Sequence, residues 1–285
     1  MYRFKMKGYI KLMKPGIIIG NLITATAGFF LAARGDISYL LLTKMLMGLF
    51  FIVGSACVIN NIWDVTLDQK MERTNSRPLV KKTVSLKEAQ VFALMLWGLG
   101  SFILAMTTPH STLLFAWIGL CVYTLIYTPL KLRSRYATEA GSLAGSMPVL
   151  VGYSAVRGDV GVDGWILGVM VALWQMPHFF AITLYRFKDY QQANVPVLPV
   201  ASSLKETKLY ILGYIIAFTV ASMFLYIGGY LGALYGTLMM VFNTIWMTLS
   251  VKGFFTHENG AWAKQIFQWS LITILALTLA IIWSF

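Results

Sequence analysis

Residues 40–59 read LLLTKMLMGLFFIVGSACVI, and residues 60–78 continue as NNIWDVTLDQKMERTNSRP. At 1.5 Å per residue, twenty mostly apolar residues in a helix cover about 30 Å, the thickness of a bilayer's hydrocarbon core. Such a segment needs only a few solvated lysines to end it. This one ends instead in Asn60, Asp64 and Asp68. Residues four apart advance only about 40° around a helix, so the three side chains form one stripe with the two carboxylates one above the other. Stacked carboxylates repel each other unless a cation lies between them, and ionisable groups at the edge of a membrane are presumptively functional.

The rest of the chain fits the same reading. Of its 285 residues 58% are hydrophobic and only 12% are charged, about half the charged fraction usual in a water-soluble domain. Nine apolar stretches are expected to span, centred near Ala25, Phe50, Trp97, Gly119, Met147, Ala172, Ala217, Met240 and Leu275. Together they leave no length for a separate soluble domain. The expectation is one all-α polytopic membrane domain over 1–285, with nine transmembrane helices around a central cavity open near the cytoplasmic face. A short basic cytoplasmic arm, 1–14, precedes it.

With nine spans, one face receives all but Arg34, Lys44 and Arg157 of the 23 basic residues. That asymmetry places the N-terminus in the cytoplasm and the C-terminus outside. It also accounts for the net charge of +12 without a nucleic-acid partner. The arm carries Arg3, Lys5, Lys7, Lys11 and Lys14 and leads directly into a full-length span. It lacks the short apolar core of a signal peptide, so an unprocessed protein of a bacterial plasma (inner) membrane is expected. Cys57 and Cys121 lie in apolar runs without a CxxC partner and are read as packing residues.

Two polar constellations carry chemistry. The first is the stripe itself: Asn60, Asp64 and Asp68 offer the hard oxygen ligands that suit Mg²⁺. Arg73 and Arg77 follow, with Lys81 and Lys82 just after Pro78. Acids that hold a metal beside bases that hold phosphate suit a diphosphate. The second is WQMPHFFAITLYRFKDYQQANVPVLPV, residues 174–200, in which Gln175, His178, Tyr185 and Asp189 recur at helical spacing. Asp189 lies near the cytoplasmic end, and His178 about 16 Å deeper. Pro177 is placed to kink that helix and turn a carbonyl toward a cavity.

These motifs resemble those of the protoheme IX farnesyltransferases (heme O synthases), a branch of the UbiA-type intramembrane prenyltransferase superfamily. The resemblance runs through KPGIIIGNLI (14–23), NNIWDVTLDQKMERTNSRPLVK (60–81), YTPLKLRS (127–134), GSLAGSMPVLVGY (141–153) and the 174–200 segment. It implies that Asn60, Asp64, Asp68 and Asp189 bind Mg²⁺, and that Asp64, Asp68, Asp189 and His178 are catalytic. It further implies that Asn60, Arg73, Arg77, Lys81, Lys131, Arg186 and Lys188 hold farnesyl diphosphate. His178, Tyr185, Gln175 and Asn21 would contact heme B or the prenyl chain, with Tyr123, Tyr127, Tyr153 and Trp174 as aromatic lining. Farnesyl transfer to a heme B vinyl group would give heme O, for a downstream heme A synthase or terminal oxidase. The superfamily's second motif usually has two acids, whereas here Tyr185 stands at one of the two positions. A quinone-pathway aromatic prenyltransferase shares the diphosphate chemistry and is the alternative enzyme. A membrane transporter is the alternative of another class, since buried Asp and His can build an ion path.

Overall fold

The computed structural model describes residues 2–285, with side chains from Lys5 onward; Arg3 of the basic arm lies outside the described side chains. The described residues form helices and turns with no strand. In order these are α1 (Tyr2–Leu12), α2 (Pro15–Ala33), α3 (Tyr39–Trp63), α4 (Val65–Asp68), α5 (Leu86–Thr107) and α6 (His110–Leu130). After them come α7 (Ala137–Arg157), α8 (Val162–Tyr185), α9 (Phe187–Gln192), α10 (Leu198–Ala201), α11 (Leu204–Ile227), α12 (Ala233–Lys252) and α13 (Asn259–Ile282).

Every expected span centre falls in one of the long helices, and eight of these helices are long and apolar enough to cross a membrane. The stretch around Met147 is the different one. Its helix, α7, has 21 residues, but they include Glu139, Arg157 and many glycines, serines and alanines. Small residues let helices approach closely where lipid offers no hydrophobic drive to associate, and α7 uses them in this way. It packs on α2, α6 and α8. A methyl group added to Gly152 would lie 1.9 Å from the Ala25 carbonyl oxygen, and one added to Gly28 2.1 Å from that of Val149. Backbone therefore meets backbone where α2 and α7 cross.

The helix ends follow local rules. Pro15 opens α2, a position where its missing N–H costs nothing, and Lys14 before it sits in the left-handed region at φ 53°. Ser85 and Glu88 close a reciprocal capping box on α5. At the end of the bundle where α2 and α7 finish and α8 begins, buried Asp163 accepts from the Tyr153 hydroxyl at 2.7 Å and from Arg34 at 3.2 Å. There Arg157 also donates to the Ala32 carbonyl at 3.0 Å. Tyr153, expected among the cavity's aromatic lining, instead holds this end together. The N-terminal arm is a helix and not a solvated tail: Leu12 and Met13 are buried in a cluster with Val58, Leu79 and Val84, and Lys5 pairs with Glu88.

Candidate active site

The polar stripe of α3 survives folding almost intact. Asp64 caps α3 at a helical φ/ψ, and the amide of Asp68 still reaches the Asp64 carbonyl at 2.8 Å. The helical path therefore runs on into α4 and keeps Asn60, Asp64 and Asp68 on successive turns. All three are buried, at 2%, 4% and 3% exposure. Two buried carboxylates without counter-charge would be strongly destabilising, and the fold supplies a different base to each. Asp64 pairs with Lys131 from the end of α6. Asp68 accepts from Arg77 Nη1 through both oxygens, each at 2.7 Å. Asn60 accepts from Lys14 Nζ through Oδ1 and donates through Nδ2 to Thr128 Oγ1 at 2.9 Å.

Five of the expected residues, Asn60, Asp64, Asp68, Arg77 and Lys131, are thus brought together. Lys14 and Thr128 join them without a signal in their own local sequence. Lys14 reads as one of five basic residues in the arm, and only the turn before Pro15 shows that it points at Asn60. Burial, seconded by the charge of Arg77, pushes the Lys14 ammonium down to about 8. Burial also lowers Lys131, against the opposing pull of Asp64. It raises the Asp68 carboxyl, against the pull of Arg77.

The segment after Asp68 departs from a helical reading. Residues 69–84 are turns, and Arg77 reaches Asp68 because the chain folds back: Thr74 Oγ1 donates to the Asp68 carbonyl at 3.2 Å. Arg73 and Lys81, expected at the same site, are exposed. The second constellation splits in a similar way. Helix α8 ends at Tyr185 and the chain restarts as α9, so Asp189 and Lys188 leave the helical register. Among the described residues no three His, Cys, Asp or Glu side chains lie close enough to hold one metal ion. The neighbour of Asp189, Tyr190, packs with Leu67 and Met71. Burial raises the Tyr190 hydroxyl, and Arg73 and Arg77 act on it from nearby. Arg186, expected among the phosphate bases, stands over the Tyr185 ring at 4.7 Å.

Directly inward from Asn60 lies a cavity of about 200 Å³. Leu49, Val53, Ala56 and Cys57 continue the stripe of Asn60 down α3 and form one wall. The facing walls include Ala116, Tyr123 and Tyr127 of α6, with Asn21, Gln175 and Phe179 from α2 and α8. Residues 122–127 form a π-helical turn, a wider turn often found at functional sites. It stacks Tyr123 on Tyr127 at 5.3 Å. Gln175 is fixed by donating to the Ser142 and Val171 carbonyls, both at 3.1 Å. Trp174 and His178 are not in the cavity wall: Trp174 donates to the Ser270 carbonyl at 2.7 Å, and His178 Nδ1 meets Ser270 Oγ at 2.7 Å.

An apolar cavity whose mouth carries two carboxylates, an amide and three bases is built for a ligand with a long apolar part and a multiply charged head. The profile of the UbiA prenyltransferase family matches residues 21–272. The chain belongs to this family. Its UbiA relatives include the protoheme IX farnesyltransferase of Protochlamydia amoebophila, 43% identical over 273 residues and covering 96% of each chain. Protoheme IX farnesyltransferase 2 of Pseudomonas aeruginosa strain UCBPP-PA14 is 41% identical over 275 residues, 96% of this chain and 93% of the other. Among solved structures, a digeranylgeranylglyceryl phosphate synthase superposes with a TM-score of 0.80 at 20% identity, covering 98% of both chains. A UbiA homologue from Archaeoglobus fulgidus bound to GPP and Mg²⁺ superposes with a TM-score of 0.74 at 14% identity, covering 96% of this chain and 99% of that one. At these identities the two structures establish a shared UbiA fold.

Proposed function

We propose that the chain transfers the farnesyl group of farnesyl diphosphate to a vinyl group of heme B, giving heme O. The observation that carries this reading is the stripe of α3: a buried Asn60–Asp64–Asp68 set, charge-balanced by Lys14, Lys131 and Arg77, at the mouth of an apolar cavity. The full-length relatives named protoheme IX farnesyltransferase support the choice of donor and acceptor.

The donor set suits Mg²⁺, because Asp64, Asp68 and the Asn60 amide are all hard oxygen ligands on successive turns. When bound there, Mg²⁺ would neutralise diphosphate oxygens. The chain's own residues do the rest. Lys131, Arg77 and Lys14 exchange carboxylate and amide partners for phosphate oxygens as the head group enters. As the allylic C–O bond breaks, its electron pair leaves with the diphosphate, and these fixed cations stabilise the charge that develops there. Leu49, Val53, Ala56 and Ala116 hold the farnesyl tail and keep water from the allylic cation. The stacked Tyr123 and Tyr127 present aromatic faces, which attract cations. The vinyl group's terminal carbon attacks C1 of the farnesyl group. Water then adds to the neighbouring carbon and releases a proton, completing the hydroxyethylfarnesyl substituent.

The placement of basic residues supports a bacterial plasma membrane location with the N-terminus in the cytoplasm. Farnesyl diphosphate would then enter head-last from the cytoplasmic side. Heme O would pass to a downstream heme A synthase or terminal oxidase. The test is a choice of acceptor. Purified protein receives labelled farnesyl diphosphate and Mg²⁺ with equal amounts of heme B and a phenolic acid acceptor. Label should enter heme alone, and not in Asp64→Ala or Asp68→Ala. Label in the phenol, or full activity in both variants, refutes the proposal.

A further inference from the structure

We infer that the Tyr190 hydroxyl is a hydrogen-bond donor to the diphosphate of farnesyl diphosphate, held against the Asp68 segment by the turn that ends α9. The inference rests on the farnesyl-transfer reading above. It adds to the head-group site a neutral residue that no charge pattern in the sequence marks.

The turn is built to place this ring. Helix α9 has only six residues, too few to hold together through its own hydrogen bonds. It ends in a complete Schellman motif: the Val195 amide donates to the Tyr190 carbonyl at 3.1 Å, and the Asn194 amide to the Gln191 carbonyl at 3.1 Å. Such a turn needs a left-handed residue just past the helix. Asn194 supplies it at φ 53°, and its side chain is exposed, so the backbone is what the position requires. The motif brings with it a hydrophobic contact between the residues that its longer hydrogen bond joins, here Tyr190 and Val195. Both belong to one cluster with Leu67 and Met71, which stand before and after Asp68 in the chain. Val195 and Met71 are buried at 2% and 3% exposure. The ring is therefore anchored on the segment that carries Asp68, more than a hundred residues away in sequence.

The hydroxyl is treated differently from the ring. It makes no hydrogen bond among the described residues, although a tyrosine whose ring is packed usually finds a partner for its O–H. Arg73, Asp189, Arg77 and Arg186 lie within electrostatic range of it. So does the hydroxyl of Tyr127 in the cavity wall, which puts Tyr190 at the cavity mouth. Arg77 is paired with Asp68, whereas neither Arg73 nor Arg186 has a carboxylate in salt-bridge range among the described residues. Three guanidinium groups around one unpartnered phenol suit a multiply charged anion, and the phenol O–H can donate to a phosphate oxygen. A residue needed only to fill the space beside Leu67 and Met71 would serve as well as phenylalanine. Asn194 acts as a positioning residue, through the turn.

The experiment separates the hydroxyl from the ring and needs no turnover. Farnesyl thiolodiphosphate, a donor analogue that resists ionisation, is titrated with Mg²⁺ into the detergent-purified full chain without heme. Its affinity and the phosphorus NMR spectrum of the bound analogue are recorded. Tyr190→Phe keeps the packing on Leu67, Met71 and Val195 and removes only the donor. It should bind the analogue about tenfold more weakly, the lower end of the range for a hydrogen bond to a charged group. The bound phosphorus resonances should shift, while farnesol should bind as it does to the wild type. Asn194→Val disfavours the left-handed turn and should weaken the analogue in the same way, whereas Asn194→Gly should bind it as the wild type does. Wild-type affinity and unmoved phosphorus resonances in Tyr190→Phe overturn the inference. Equal weakening for the analogue and farnesol also overturns it, since that marks a packing role. Either result leaves the farnesyl-transfer reading standing. If the wild type does not bind the analogue at all, both fall.

Discussion

The ion pair between Asp68 and Arg77 separates a structural role from a catalytic one. The Asp68 side chain is 4% exposed and that of Arg77 22%, and one guanidinium nitrogen meets both carboxylate oxygens at 2.7 Å. Arg77→Gln leaves a buried carboxylate without its counter-charge, a loss of about 3–5 kcal/mol when both partners are fully buried. Arg77 retains some contact with water, so a value near 3 kcal/mol is expected, read from chemical unfolding in detergent. Adding Asp68→Asn removes the stranded charge, and the double variant should regain most of that stability. Transfer should behave differently. If the guanidinium stabilises charge on the leaving diphosphate, its loss costs about 10²–10³-fold in kcat, the scale of one preorganised donor. Asp68→Asn should lower transfer as well, and the double variant should stay at least as impaired as either single one. Recovery of stability together with recovery of turnover would show that the pair only holds the fold together.

Other consequences are as specific. Lys131→Met strands Asp64 and should lower both stability and transfer, whereas Lys131→Met/Asp64→Asn should restore the unfolding midpoint alone. Chelation of divalent ions with EDTA should abolish transfer, and added Mg²⁺ should restore it. Ala116→Phe fills the inner part of the cavity. Excluding two carbon groups from burial corresponds to about tenfold in binding, so the kcat/KM ratio of farnesyl to geranyl diphosphate should fall by about that factor. Gly152→Ala drives a methyl group into the Ala25 carbonyl and should cost at least about 1–3 kcal/mol. Gly20→Ala, with nothing within 4 Å of the added carbon, should leave the unfolding midpoint within about 0.5 kcal/mol of wild type.

Membrane-spanning helices and the α3 stripe were legible in the sequence because both depend on local periodicity. Length and apolarity located every long helix, and a spacing of four placed Asn60, Asp64 and Asp68 on one face. Even α7, which falls short of the apolarity of the eight helices fit to cross a membrane, was legible as a long helix around Met147, while the reason for its composition is a contact: Gly28 and Gly152 serve a backbone crossing between segments more than a hundred residues apart. The same limit explains the residues that were missed. Lys14 and Thr128 reach Asn60 only through tertiary folding. Arg73 and Arg77 look equivalent in sequence, yet the turns after Asp68 bring one to the carboxylate and leave the other exposed. Helical spacing also overreached at Asp189, because it assumed that α8 continues past Tyr185. His178 was recognised as unusual, but its partner Ser270 lies on a helix 92 residues away.

The central claim is tested most directly by the mass and spectrum of the pigment itself. Purified chain, heme B, farnesyl diphosphate and Mg²⁺ are incubated, and the extracted heme is analysed by mass spectrometry. The expected product is heme heavier by one farnesyl group and one hydroxyl group, with one of its two vinyl groups lost and one diphosphate released for each heme converted. Unmodified heme alongside released diphosphate and free farnesol would contradict the account, since it would show a site that ionises the donor but does not serve this acceptor.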